Sequence, residues 1–472
     1  MQRGDTVIVF DCGATNIRAI ALSSKGEILA SGSFPNNTRP DPYFPCYRIW
    51  DINEIWDKLC LASRKVIEKV NPTRIAGITV TTFGVDGTLF DRNGNMLYPV
   101  ISWQCERTRP IMAEIEKYIP LADLYAENGV LPFAFNTINK LIWLKENRPG
   151  LFDRQCMFLF MPSILTFMFS GEMVNDVTMA GTSMMTTLSS RRFSDRILGR
   201  IGLNSGLFGT PVEAGTIIGR VTKKAASDTS LPEGIPVVAT GHDTQFAIFG
   251  SGAGKNQPVL SSGTWEILMV RAEKTRTEKE QLEAGITTEF DSMPGLYNIG
   301  NQWLASGVLE WARKTLYGDI HENVYEYMIS GAEKVPPGSN GVKVIPGFFQ
   351  ELKDKPGGQI LGLTLETTRD EIYRAMLEAL AEKLKEGKKA LEIAGGFRTE
   401  EIICVGGGSK NRLWNKLRAE TAGVPLKIIH HKETTVLGAS FFTQYACGNF
   451  SSPEEARSAT DYCAEIVEPG AK

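Results

Sequence analysis

Short apolar runs alternate along the chain with longer stretches in which apolar positions recur every three or four residues, and this alternation predicts an α/β protein. The opening reads as three short strands, 6–10, 17–22 and 27–31, with "SSKG" (23–26) supplying a polar turn between the last two. A helix is expected over about 52–70, where Ile52, Ile55, Trp56, Leu59, Ala62 and Val66 share a face and Asp51 can cap it. "IAGITVTTF" (75–83) reads as a buried strand. Helical spacing then returns at 109–118, 137–147 and 161–169, ending near Pro120, Pro149 and Gly171.

A second unit begins after "GIPVVATGHD" (234–243), with strand-like 258–262, 265–271 and 295–299 followed by a helix at 303–316. A Pro- and Gly-rich connection covers 335–360, and a long helix spans about 368–394 with Ile372, Ala375, Met376, Ala379, Leu380 and Leu384 at helical spacing. "IICVGGGSKN" (402–411) is strand, glycine loop and helix start. Both halves thus share a plan of strand, polar turn, return strand, then helices and further strands, which predicts an internal structural repeat carried by pattern and not by letters.

Composition adds exclusions. At 472 residues the chain exceeds one ordinary core, so two or three domains are expected. A balance of 51 basic against 54 acidic side chains gives no reason to expect nucleic acid or an anionic membrane as partner. The most apolar run, "MFLFMPSILTFMF" (157–169), is shorter than the roughly 18 residues of a span and contains Pro162, so it reads as a buried strand meeting a helix. The polar start "MQRGD" enters a strand at once, so no signal peptide is expected, and the N-x-[ST] matches at Asn36 and Asn449 read as chance. Eight scattered cysteines without C-x-x-C spacing suit a reduced, cytoplasmic protein. His430-His431 is the sole histidine cluster, and neighbours on a strand point to opposite faces, which makes a poor metal site.

The candidate chemistry sits in the turns. In "DCGATN" (11–16) Gly13 permits close backbone approach, and Thr15 and Asn16 add donors. Asp11 beside a phosphate would be repelled, so a carboxylate here implies an intervening Mg²⁺ with its waters. "SSGT" (261–264) supplies donors and no acid, and two such turns facing each other can hold a polyphosphate from both sides. "VGGGSKN" (405–411) lets a flat ligand such as adenine lie against backbone. No P-loop is present, since "GSGAGKN" (250–256) fails in spacing, and no GxGxxG follows the first strand. Asp243, at the mouth between the halves, is placed as a general base for a substrate hydroxyl or as a helix N-cap, and both roles are compatible.

Six of these motifs, in order, resemble the FGGY carbohydrate kinases of the actin-like ATPase group: "DCGATNIRA" (11–19), "GVDGTLFD" (84–91), "ISWQCERT" (101–108), "GHDTQFAIFG" (241–250), "SSGTWE" (261–266) and "GGGSKNRLW" (406–414). The resemblance spans nearly the whole chain. It implies an α/β, two-domain actin-like ATPase (ribonuclease H-like) fold with duplicated domains around a central cleft, divided at 1–245 and 246–472. It further implies ATP-dependent phosphorylation of a ketose at its 1-hydroxyl, with ATP and Mg²⁺ as cofactors. Carried over by residue, Asp243 is the base and Asp11 stands near the metal. Gly13, Ala14, Thr15, Asn16, Arg18, Gly263 and Thr264 serve the nucleotide phosphates, and Gly407 and Asn411 its adenosine. Gly84, Asp86, Trp103, His242, Asp243, Thr244 and Gln302 face the sugar.

The resemblance leaves open which ketose is used, because candidates differ only in hydroxyl configuration and a terminal methyl. It also leaves open an oligomer of identical chains. A reading from another class is an actin-like ATPase that works as a chaperone or filament subunit. Against it stand the polar and aromatic residues at 83–107 and 133–143, which suit a small-molecule pocket, and the want of a peptide-binding domain after the two ATPase halves. A third reading, a catalytically dead paralogue acting as a sensor, is opposed by the retention of both Asp11 and Asp243.

Overall fold

The computed structural model describes residues 4–152, 155–348, 357–430 and 433–470. Two twisted sheets organise it, each grown from a hairpin. In the first, Thr6–Cys12 and Asn16–Leu22 pair antiparallel, with Asp11 directly opposite Arg18. Ile28–Pro35 adds antiparallel outside Asn16–Leu22. On the other flank Ile75–Thr82 joins Thr6–Cys12 in parallel, Pro236–Val238 joins that strand in parallel, and Ile217–Arg220 closes the edge antiparallel. A central strand covered on both faces must be apolar throughout, and Val7, Ile8, Val9 and Phe10 are fully buried.

The second sheet repeats the plan around the hairpin of Val259–Ser262 and Trp265–Ala272. Tyr297–Leu304 lies outside the return strand, with Thr287–Phe290 beyond it. Ile402–Val405 and Leu426–Ile429 continue in parallel on the other flank, and Ala464–Val467 closes it antiparallel. The predicted repeat is therefore a repeat of sheet topology. Apart from the extra outer strand Thr287–Phe290, the departure is the closing strand, which precedes its neighbour in the first half and follows it in the second.

Each parallel step needs a crossover helix. Ile52–Ile67 serves the first sheet, its start held by Asp51 Oδ1 accepting from the N–H groups of Asn53 and Glu54. Arg369–Gly395 serves the second and begins with a Thr368–Glu371 capping box. Residues between the strands Ile75–Thr82 and Ile217–Arg220 build a separate layer in which Gly87–Asp91 pairs with Cys156–Phe160. Its core includes Leu89, Leu141, Phe158, Phe160 and Phe208.

Helices Asp243–Gly250 and Thr434–Ala446 come from opposite halves yet lie against each other on the first sheet, sharing a core with Val7, Val9, Ile20 and Leu22. They approach so closely that a Cβ on Gly250 would overlap the Thr434 carbonyl, and one on Gly438 the Phe246 carbonyl.

Some expectations shift. The region 109–118 is a short helix, Arg109–Ala113, followed by a 3₁₀ turn at Ile115–Lys117. The helix expected at 303–316 starts at Ser306, because Trp303 and Leu304 finish the strand opposite Glu266 and Trp265. The connection 335–360 contains a small hairpin of Lys343–Ile345 with Gln359–Leu361, and its 349–356 lie outside the described residues. His431 also lies outside them. Among the described residues no helix is long and apolar enough to cross a membrane.

Candidate active site

The first hairpin presents the acid. Asp11 and Arg18 are cross-strand neighbours, and the guanidinium binds Asp11 Oδ2 at 2.5 Å while its other arm reaches Glu433 Oε2 at 2.8 Å. Glu433 stands at the start of Thr434–Ala446. Asp11 is only 7% exposed. Burial pushes its carboxyl up to about 6; Arg18 opposes that rise, and the charges of Asp243 and Glu433 add to it. The Gly13 N–H is taken by the Asn16 carbonyl, and the Gly13 and Thr15 carbonyls accept from Asn36, so this turn is rigid. Thr15 and Asn16 are exposed on it, with Gly13 and Ala14 half-buried.

Asp243 opens its helix at the seam between the halves, with its side chain 32% exposed. Its Oδ1 collects the Thr244 N–H at 2.7 Å and the Thr244 hydroxyl at 3.3 Å, and lies 3.4 Å from His242 Nε2. Burial raises the Asp243 carboxyl above its ordinary value; His242 and the Thr244 donors pull it back, and Glu289 adds to the rise. His242 itself is anchored by a bridge to Thr82 and by its N–H donating to Thr178 Oγ1 at 2.9 Å. Behind Thr178 is Asp176, buried, with Oδ2 unpartnered among the described residues and its carboxyl pushed up to about 6 by that burial.

Gly84 faces the His242 ring, where a Cβ would stand 2.9 Å from Nε2. The next residue, Val85, is held at φ 64°. This tight reversal turns Asp86 into the interior, where Oδ2 accepts from Trp50 Nε1 at 2.6 Å and from the Trp103 N–H at 3.0 Å. Its Oδ1 pairs with Lys140. Burial works against both charges, raising Asp86 and lowering Lys140. Asp86 thus holds the Trp103 backbone from within, and the indole, 36% exposed, forms an edge contact with Phe135.

In the second hairpin Thr264 and Ser261 are exposed, and the Thr264 carbonyl accepts from the N–H groups of Ala305 and Gly307. An acid does lie beneath this turn. Glu266, opposite Ser262, is buried in an ion pair with Arg418 and accepts from Trp303 Nε1 at 2.9 Å. The glycine loop seats against the same turn. A Cβ on Gly406 would come 2.7 Å from the Ser262 carbonyl, and one on Gly408 would overlap the Ser262 hydroxyl, whereas Gly407 faces open space. Asn411 is engaged at both ends, accepting from the Trp414 N–H and donating to Tyr373 at 3.0 Å, so it caps helix Arg412–Ala422.

The structure therefore brings together Gly84, Asp86, Trp103, His242, Asp243 and Thr244 along one wall, next to Asp11, Arg18 and the first turn. Gly263, Thr264, Gly407 and Asn411 form a second group. Gln302 is exposed on the strand leading to Leu304, beside the second turn. Sequence reasoning missed Glu433, Glu289, Lys140, Asp176 and the Glu266–Arg418 pair. Glu433, Glu289 and Lys140 lie outside the motifs, where a lone charged residue reads as solvated surface, whereas Glu266 closes "SSGTWE" and Asp176 borders "TMAGTS", and only the fold shows that both are buried.

Known proteins share this chain's sequence and fold. The models of the FGGY family of carbohydrate kinases match here, the N-terminal domain over residues 6–250 and the C-terminal domain over 259–447. The chain is 46% identical over 461 residues to an L-fuculokinase of Escherichia coli O157:H7, covering 98% of this chain and 96% of that one. It is 43% identical over 469 residues to an L-fuculokinase of Haemophilus influenzae, covering 98% and 99%. Its fold superposes on a xylulose kinase from Rhodospirillum rubrum with a TM-score of 0.90 at 22% identity, over 98% of this chain and 94% of the other. With its duplicated sheets and a carboxylate at their seam, the chain belongs to the FGGY family of carbohydrate kinases, two-domain enzymes of the actin-like ATPase fold.

Proposed function

We propose that the protein transfers the γ-phosphoryl group of ATP to the 1-hydroxyl of L-fuculose, giving L-fuculose 1-phosphate and ADP. The observation that carries this reading is the 43–46% identity, over almost the whole chain, to proteins named L-fuculokinase. The stretches "TMAGTS" (178–183), "VLSSGTWEILMVR" (259–271) and "QWLASGVLEW" (302–311) also have the L-fuculokinase pattern, while L-rhamnulokinases share the G-H-D-T element.

Asp243 Oδ2 takes the proton of the sugar's 1-hydroxyl as that oxygen bonds to the γ-phosphorus. The bond to the β,γ-bridging oxygen breaks, and its electron pair leaves with ADP. Oδ1 is committed to Thr244 and His242, which orients the carboxylate for this task. The transition state is loose, so catalysis is mainly positioning and charge neutralisation. Thr15, Asn16 and Arg18 on one turn and Gly263 and Thr264 on the other hold phosphates. Gly407 borders the adenosine, with Asn411 fixing the helix behind the loop. Trp103 and His242 form the sugar wall, with Gly84 and Asp86 setting their places, and Gln302 reaches the site from the second half. Residues 1–245 and 246–472 act as the two domains that close around both substrates and exclude water.

Among the described residues no three His, Cys, Asp or Glu side chains gather as a metal site, so Mg²⁺ would arrive on the ATP phosphates, with Asp11 as the carboxylate beside it. When bound, Mg²⁺ neutralises phosphate charge. The test is ADP release with MgATP on a panel of L- and D-ketoses, with Asp243→Asn alongside. Preference for L-fuculose, lost in Asp243→Asn while nucleotide still binds, is the expected result. Preference for L-rhamnulose or another ketose overturns the substrate, and sugar-independent hydrolysis insensitive to the substitution overturns the kinase reading.

A further inference from the structure

Glu289 reaches the candidate base from the other half of the chain. It lies on Thr287–Phe290, opposite Asn298. Its Oε2 is 3.3 Å from His242 Nδ1 and accepts from Gln245 Nε2 at 2.5 Å. Gln245 Oε1 in turn accepts from the buried Asn298 amide. At the opposite edge of the ring, His242 Nε2 faces Asp243 Oδ1. A neutral imidazole carries one N–H and an imidazolium two. With a carboxylate oxygen against each nitrogen, only the imidazolium donates on both sides.

We propose that Glu289 is a positioning residue for phosphoryl transfer: it holds His242 as an imidazolium between two carboxylates and thereby fixes the orientation and the ionised form of Asp243. This rests on Asp243 being the base. The charged groups that reach the pair are Glu289 from the second sheet, Asp176 from the cap of Val177–Gly181, and Asp11 from the first hairpin, itself paired with Arg18 beside Glu433. Burial alone would discharge the ring, but Glu289, Asp243 and Asp176 outweigh it, and its pKa is raised. The donors gathered on Oδ1 leave Oδ2 to receive the proton. Because Glu289 belongs to the second sheet and His242 to the end of the first, the same contact makes the base sensitive to how the halves meet.

The test is a histidine side-chain NMR titration of the full chain, with His242 assigned through His242→Asn, beside the pH profile of kcat. The first readout needs no substrate. Glu289→Gln, of nearly equal shape, is expected to lower the His242 titration point by about one unit. It is also expected to lower kcat near neutral pH, where the ring then loses its charge, while KM for ATP holds. Glu289→Asp, which keeps the charge one methylene shorter, recovers part of both shifts, and a merely structural role would move neither. An unchanged His242 titration in both variants overturns the proposal, as does a shifted ring with kcat unchanged across the pH profile. Wild-type protein that titrates as expected but phosphorylates no ketose overturns the assignment of function instead.

Discussion

The Lys140 ammonium donates to the Val85 carbonyl at 3.0 Å while pairing with the carboxylate of Asp86, the very next residue. Thr137, one helical turn earlier, donates to the same carbonyl at 2.8 Å. Val85 is β-branched and held at φ 64°, a conformation that costs on the order of 1–3 kcal/mol and persists only where its surroundings impose it. Helix Thr137–Asn147 imposes it, and the strained turn delivers Gly84 to the His242 ring and Asp86 to the Trp103 backbone.

Removing that clamp is expected to be expensive. Lys140→Met leaves Asp86 buried without its cation, at about 3–5 kcal/mol. Chemical denaturation should show the loss, and in whatever protein remains folded KM for the sugar should rise with KM for ATP nearly unchanged. A wild-type midpoint would show that Lys140 holds nothing in place.

The helix pair at the seam makes a second, opposite-signed comparison. Gly438→Ala drives a methyl group into the Phe246 carbonyl and should cost about 1–3 kcal/mol, read as a lowered Tm. Gly199, in Asp195–Arg200, has open space around it, so Gly199→Ala should instead stabilise by about 0.5–1 kcal/mol. Equal effects at the two glycines would contradict the close approach.

Gly408→Ala tests the link between the glycine loop and the phosphate turn. Its Cβ meets the Ser262 hydroxyl, so loop and turn must part. Nucleotide titration should show weaker ATP binding, with sugar KM unaltered. A change confined to the sugar would place the loop elsewhere in the mechanism.

Asp176 gives a pH signature. Its carboxyl is raised to about 6 in the fold, above the unfolded value, so the protonated form is favoured by folding and the group's contribution is lost as pH rises through 6. Asp176→Asn keeps the cap to Met179 and removes that loss. Its stability relative to wild type should therefore grow between about pH 4 and pH 7, by up to about 3 kcal/mol. Parallel stability curves would refute this.

Much of the molecule was legible because local patterns agreed with the fold. The hairpin strands, helix 52–67 with its Asp51 cap, and the strand-to-helix step at 156–170 follow from period and capping chemistry alone. Helix Thr434–Ala446 was not legible, since it is buried on nearly every side, with Ser440, Thr443 and Gln444 among the buried residues, and so carries no periodic signal. The site divided in the same way. Asp11, Asp243 and the turn residues sit in short motifs, whereas Glu289 and Lys140 act only through contacts that tertiary folding creates. Asp86 was visible as a motif residue, but its burial behind Trp103 was not, because sequence cannot tell which side of a reversal faces the ligand.

The helix at 434–446 also bears on how the chain is made. Val7, Val9, Ile20 and Leu22 take part of their cover from Val436, Leu437 and Phe441, which are synthesised more than 400 residues later. During translation the earliest sheet waits with one face incompletely sheathed, the kind of exposed surface that draws aggregation or a chaperone. Completion of the first half is thus postponed until the helix at 434–446 has been made, and its lifetime as an open intermediate is set by the rate of elongation.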